Sequence, residues 1–183
     1  MLEVQRLASS IRYRLGDMQG AKFSDFEVIE AINRAAWLLF GHMGARFIWA
    51  AVKKAVVVVG DDNTARLPRD FHSMRRVTRE DAGLTDPGYR TGDYRIVSSE
   101  FRAEPGAYGL EYYYIPRYVH GLDAELDAPE AVSPWLEQMA VAILNGDNAG
   151  VVHIAESCCN TLAGGEAGRI PEFGPVKILG GKL

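Results

Sequence analysis

The stretch IRYRLGDMQGAKFSDFEVIEAINRAAWLLF, residues 11–40, decides how the chain is read. It holds the end of one helix, a short loop and a capped second helix. Upstream, Leu2, Val4, Leu7, Ala8, Ile11 and Leu15 fall at helical spacing and form one apolar stripe, which predicts a helix over about 2–15. Gly16 stops it, because glycine takes a positive φ without steric cost. Ser24 and Glu27 have the spacing of a capping box, in which the serine side chain accepts from the amide of Glu27 and the carboxylate reaches back to the amide of Ser24. The second helix is expected over about 25–43, with Phe26, Ile29, Ile32, Ala36, Leu39 and Phe40 on its apolar face and Trp37 at the flank. Asn33 falls among them, and its simplest role is a structural hydrogen bond that ties the helix to a neighbour.

Beyond the hairpin the period changes. WAAVKKAVVVV (49–59) is rich in β-branched residues and ends in the turn cluster GDDN (60–63). TARLP (64–68) is expected to return as its paired strand, PRDF (68–71) as a helical turn, and MRRVTRE (74–80) as a further strand. Residues 81–107 carry glycines and prolines and read as a loop-rich excursion with extended pieces such as YRIVSS (94–99). GLEYYYIPRY (109–118) alternates as a strand, Leu110, Tyr112 and Tyr114 facing one way and Glu111, Tyr113 and Ile115 the other. Helices return at about 134–145 and 148–163. Ser133 is the expected N-cap of the first, with Pro134 at the first helical position. That helix, WLEQMAVAIL, is apolar nearly all round and so buried on several sides, which makes Trp135 and Met139 candidates for packing between subunits. The last places Val151, Ala155, Cys158 and Leu162 on one face. These expectations amount to an α+β fold: an N-terminal helical hairpin and a C-terminal helix pair packed as a small bundle, a β-rich insertion over about 49–118, and an extended tail. The body covers 1–163 and the tail 164–183.

The tail, GGEAGRIPEFGPVKILGGKL, mixes glycines and prolines with a short apolar piece. Such a segment adds a strand to another sheet or docks in a groove, and Ile170, Pro171, Phe173, Val176, Ile178 and Leu179 are its candidate contact residues.

At 183 residues and 48% apolar, the chain can bury a core without disulfides or metals. The formal charge of −4 argues against a protein built to grip DNA, and the basic pairs Arg12/Arg14, Lys53/Lys54 and Arg75/Arg76 read as solvated faces. Cys158 and Cys159 are adjacent, which suits reduced thiols in a reducing compartment and buried positions on a packed helix. Met1-Leu2-Glu3 leads straight into an amphipathic pattern, so no signal peptide is expected, and no apolar run approaches the length of a membrane span. His42, His72, His120 and His153 lack metal-ligand spacing. The acids at Asp61/Asp62 and Asp123/Glu125/Asp127 sit in turns and loops. Phosphate-loop, dinucleotide and nucleophile-elbow patterns are missing. Neither catalytic, cofactor nor metal residues are therefore assigned, and no cofactor is expected. The tyrosines 112–114 are better read as strand packing than as a base-stacking platform, since Arg117 is nearly alone beside them.

Taken in order, Arg14–Asp17, Ser24–Asn33, Leu67–Phe71, Tyr112–Pro116 and Pro129–Leu144 resemble the pattern of the head-to-tail adaptor (connector) proteins of tailed bacteriophages. In that family an Arg-Leu-Gly-Asp-like loop precedes a Ser/Thr-Asp-capped helix with a buried Asn. A Leu-Pro-x-Asp-Phe turn, a Tyr-x-x-x-Pro strand end and a Pro-Glu helix pair follow. The resemblance spans about residues 5–163, and residues 81–107 match no part of it. It implies a structural virion protein and not an enzyme: a dodecameric ring at the neck, made in the host cytoplasm. Its partners would be the portal ring, a downstream tail or nozzle component and further copies of itself, with DNA only in passage and no membrane. The second reading is a tail-completion protein, tail terminator or other assembly factor. A small ligand-binding domain or enzyme is the third.

Overall fold

The computed structural model describes residues 1–79, 94–165 and 178–179. Along the chain these form β1 (Leu2–Glu3), α1 (Val4–Leu15), α2 (Asp25–Ala45), β2 (Val52–Val59), β3 (Thr64–Arg66), β4 (Phe71–Arg79), β5 (Arg95–Val97), β6 (Glu100–Arg102), β7 (Gly106–Tyr114), β8 (Glu125–Leu126), α3 (Ser133–Leu144), α4 (Asn148–Gly165) and β9 (Ile178–Leu179). The fold is α+β. It divides into two compact units, one of Met1–Ala51 with Ile115–Arg169, the other of Val52–Tyr114 with Ile170–Leu183.

The first unit is a four-helix arrangement in which α2 packs on α1, α3 and α4, and α3 packs on α1 and α4. Its core is Val4, Leu7 and Ile11 from α1, Val28, Ile32, Leu39, Phe40 and Met43 from α2, Leu136, Met139 and Ala140 from α3, and Val151, Ala155 and Cys158 from α4. β1 pairs antiparallel with β8, Leu2 opposite Leu126, which fastens the chain start to the loop ahead of α3. α1 ends at Gly16 with φ 66°, where the Asp17 amide reaches back to the Arg12 carbonyl at 2.9 Å and the Gly16 amide to Tyr13 at 3.1 Å. The glycine stop suggested by the sequence is thus present, and two backbone bonds close it. The capping box at Ser24 and Glu27 is complete.

α2 buries a different arc from the expected one. Val28, Ala31, Ala35 and Met43 join Ile29, Ile32, Ala36, Leu39 and Phe40, while Phe26 is 70% exposed and Trp37 61% exposed. The added residues turn the buried arc so that Phe26 and Trp37 lie roughly 120–140° from its centre at 100° per residue. Ser133 is not an N-cap. It is the first residue of α3, with helical φ −50° and ψ −49°, because a 3-10 turn at Glu130–Val132 runs directly into the helix; its hydroxyl donates to Glu137 at 3.3 Å. α4 carries Val151, Ala155, Cys158 and Cys159 inward, with Leu162 half-buried.

The second unit has one sheet in the order β4-β7-β2-β9 and a smaller one in the order β3-β6-β5. β2 and β7 pair antiparallel over eight rungs, from Val52 opposite Tyr113 to Val59 opposite Gly106. β3 therefore does not form the expected hairpin with β2. β2 already has β7 on one edge and β9 on the other, and β3 pairs instead with β6, Ala65 opposite Phe101. Phe101 is fully buried, with Tyr108 edge-on at 5.2 Å and Tyr94 stacked at 5.4 Å between ring centres. Ala55, Val57, Val77 and Leu110 complete that core. Tyr112, Tyr113 and Tyr114 are all buried, so both faces of β7 are covered near its end and the three rings offer no stacking platform. PRDF closes as a turn with the Phe71 amide on the Pro68 carbonyl at 3.0 Å.

Candidate docking surfaces

The loop between α1 and α2 is held by one carboxylate and one guanidinium. Asp17 is buried and accepts from the amides of Lys22 at 2.9 Å and Phe23 at 3.0 Å. Arg12, nearly buried, donates to Asp17 at 3.2 Å, to the Phe23 carbonyl at 2.9 Å and to Asp25 at 2.7 Å. The Lys22 amide, then those of Phe23 and Ala21 and the Arg12 charge, outweigh burial and hold the Asp17 carboxyl below the ordinary carboxylate value. Arg12 is thus a tie inside the loop, not part of a solvated face. Of the other basic pairs, Arg76 is exposed and three members are engaged. Lys53 meets Asp70 at 2.6 Å and lies over the Tyr114 ring, while Lys54 and Arg75 both bind Glu111 at 3.0 Å.

Asn33 makes a two-way clamp with the strap that follows β7. Its side-chain amide donates to the Val119 carbonyl at 2.8 Å, and its oxygen accepts from the Val119 amide at 2.9 Å. Both residues are buried. The neighbour Asn33 ties to is therefore an extended segment, 86 residues away in the chain.

Among the described residues no cluster of His, Cys, Asp and Glu is placed to hold a metal ion. Cys158 and Cys159 are free and buried, and burial pushes the Cys158 thiol up to about 12, with the adjacent Cys159 adding to it. A thiol so raised is not a nucleophile at neutral pH. A concavity of about 480 Å³ in the second unit is lined by Asp62, Thr64, Tyr94, Arg95, Arg102 and Glu104 among others. Its charges are mostly spent on neighbours: Asp62 accepts from Thr64, Arg102 pairs with Glu100, and Glu104 with Arg79. Convergent groups aimed at one point are not found there.

What remains on offer is surface. Phe26 and Trp37 stand eleven residues apart on one side of α2, about 16 Å along the axis. Phe47 is 79% exposed and sits at φ 59° just past the end of α2, where the Ile48 amide reaches Met43 at 2.9 Å and its own amide reaches Gly44 at 3.2 Å. That is a glycine's position in a helix cap, occupied by a phenylalanine. Tyr118 is exposed and packs on His120 at 4.9 Å between rings.

The chain matches no protein-family model and no curated protein. Among the described residues, no helix is long and apolar enough to cross a membrane.

The expected contact residues fall in several places. Met139 is 0% exposed in the core of its own unit and is not available for packing between subunits; α3 meets the three other α-helices, which explains its all-round apolarity within one chain. Trp135 is half-buried. Ile170, Pro171, Phe173 and Val176 lie outside the described residues. Ile178 and Leu179 add a parallel strand to the chain's own sheet, opposite Val56 and Val57 of β2. The exposed aromatics were not legible as such, because apolarity alone assigns Phe26 to the core. A count of small residues on the opposite arc of α2, Ala31 and Ala35, is the signal that separates the two.

Proposed function

We propose that this protein is a structural component of a tailed-phage neck: an adaptor whose copies form a ring between the portal and the tail, through which DNA passes. One observation carries the reading. Of the residues that resemble the adaptor pattern, Asp17, Ser24 and Asn33 are spent on holding the fold: Asp17 in its tie with Arg12, Ser24 in its capping box and Asn33 in its clamp. Large aromatics beside them, Phe26 and Trp37, face outward. A rigid helical scaffold with outward aromatics suits assembly, since aromatic anchors dominate protein interfaces. On this reading the protein has no catalysis of its own, its place is the virion neck, and the mild acidity of the chain suits a lumen along which DNA slides. The tail segment 164–183 supplies the grip on the portal.

The test is native mass spectrometry of the purified chain mixed with the portal ring of the same genome. One added copy per portal subunit is expected, and a chain lacking 164–183 should stay folded yet fail to attach. Absence of association with the portal, together with binding to the tail tube, would replace the adaptor reading with a tail-side one.

A further inference from the structure

The outer strands of the larger sheet are β4 and β9, and β2, the strand that β9 covers, is built differently from β4. β4 is broken by register shifts between Phe71 and Ser73 and between Met74 and Arg76, and it carries His72, Arg75, Arg76 and Arg79. Bulges and charges of this kind keep an edge from pairing with another chain. β2 has neither protection along its apolar half. It runs Val52–Val59 with unbroken register against β7, and its last five residues are AVVVV. On its other side only Val56 and Val57 are paired among the described residues, by Ile178 and Leu179. Among the described residues, the apolar half of β2 is thus covered on that side by two rungs.

We propose that the β2 edge is a strand acceptor for the C-terminal segment of a neighbouring copy, so that copies are joined by exchanged strands. The edge already accepts this segment, in parallel and at one register, and backbone bonding does not depend on which copy supplies it. The donor has the reach. Twelve residues lie between Gly165 at the end of α4 and Ile178, enough to span roughly 45 Å, more than the ~30 Å diameter of a small domain. The proposal rests on the ring reading only in that a ring sets a second copy beside each edge.

The test uses the full chain carrying Val56→Cys and Ile178→Cys, treated with a short bismaleimide and resolved by intact mass. The native thiols are buried, so labelling falls on the introduced ones. At about 1 µM, intramolecular closure dominates, because a tethered strand has an effective concentration near 1 mM. As the chain approaches ~1 mM, covalently linked multimers should rise at least about tenfold. A mixture of the two single variants must give a crosslinked heterodimer, for which there is no intramolecular route. Closure within single chains alone at ~1 mM, or no crosslink in variants with wild-type circular dichroism, overturns the proposal. Portal attachment with closure only in cis would keep the adaptor reading and remove the exchange; linked multimers that ignore the portal would do the reverse.

Discussion

Replacing Asn33 by alanine removes both sides of the buried exchange with Val119 and leaves that residue's N–H and C=O without partners. A buried polar group stripped of its partner costs about 1–3 kcal/mol. Two such groups give about 2–6 kcal/mol, and the lower half applies because the flanking Tyr118 and His120 are exposed and water can reach the freed groups, so about 3 kcal/mol is expected. For a chain of this size 1 kcal/mol lowers Tm by about 2–4 °C, so the variant should melt about 6–12 °C below the wild type. Hydrogen exchange at the Val119 amide should speed up well beyond that of neighbouring strand amides. Asn33→Asp sharpens the test. Its carboxylate still accepts from the Val119 amide, but it faces the Val119 carbonyl with no proton to give. Burial and that carbonyl raise the folded-state pKa above the unfolded one, so the deficit is full at neutral pH and shrinks as pH falls through the folded value. Asn33→Ala melting within about 2 °C of the wild type, with Val119 still protected, would refute the clamp.

Two further outcomes follow from the carboxylate tie and the thiols. Asp17 is held below its unfolded value of 3.8, chiefly by the Lys22 amide, so its contribution is present above that pH and is lost as pH falls through the lower folded value. Asp17→Asn should therefore flatten the acid side of a urea-midpoint versus pH curve, and an unchanged acid limb would contradict the assignment. Cys158 and Cys159 should resist a thiol-exchange reagent at pH 8 while the chain is folded and react fully in denaturant; rapid reaction of the folded protein would show that the thiols are accessible.

The parts of the fold that are legible in the sequence are those fixed within a few residues of themselves. The Gly16 stop and the Ser24 box are local hydrogen-bond patterns, and both are present in the structure as read. Strand pairing is not local. TARLP looks like the return of a hairpin because it follows a turn cluster, yet β7, nearly fifty residues on, outcompetes it with eight matched rungs. The β5–β6 hairpin turns at Ser98, φ 55°, and Ser99, with no glycine to announce it. Ser133 fails as a cap because the preceding turn is itself helical, a fact of backbone rather than of residue type. At the candidate surfaces the limit is similar. Apolar character marks Phe26, Trp37 and Met139 alike, and only packing sends two outward and one into the core. Arg12 shows the converse: a charge that composition places on the surface is spent inside a loop.

The β2–β7 pairing has a consequence for how this chain can vary. The chain leaves the helical unit at Ala51 and returns to it at Ile115, and Val52, where the excursion starts, is paired with Tyr113, one residue before its end. Paired strands run about 5 Å apart, so the whole stretch Val52–Tyr114 enters and leaves through one narrow doorway. Whatever lies between those paired ends can be lengthened or shortened while the ends themselves stay one strand spacing apart. The helical frame and its cargo are thereby free to evolve at different rates, the one under the constraint of its own core, the other under that of whatever it meets.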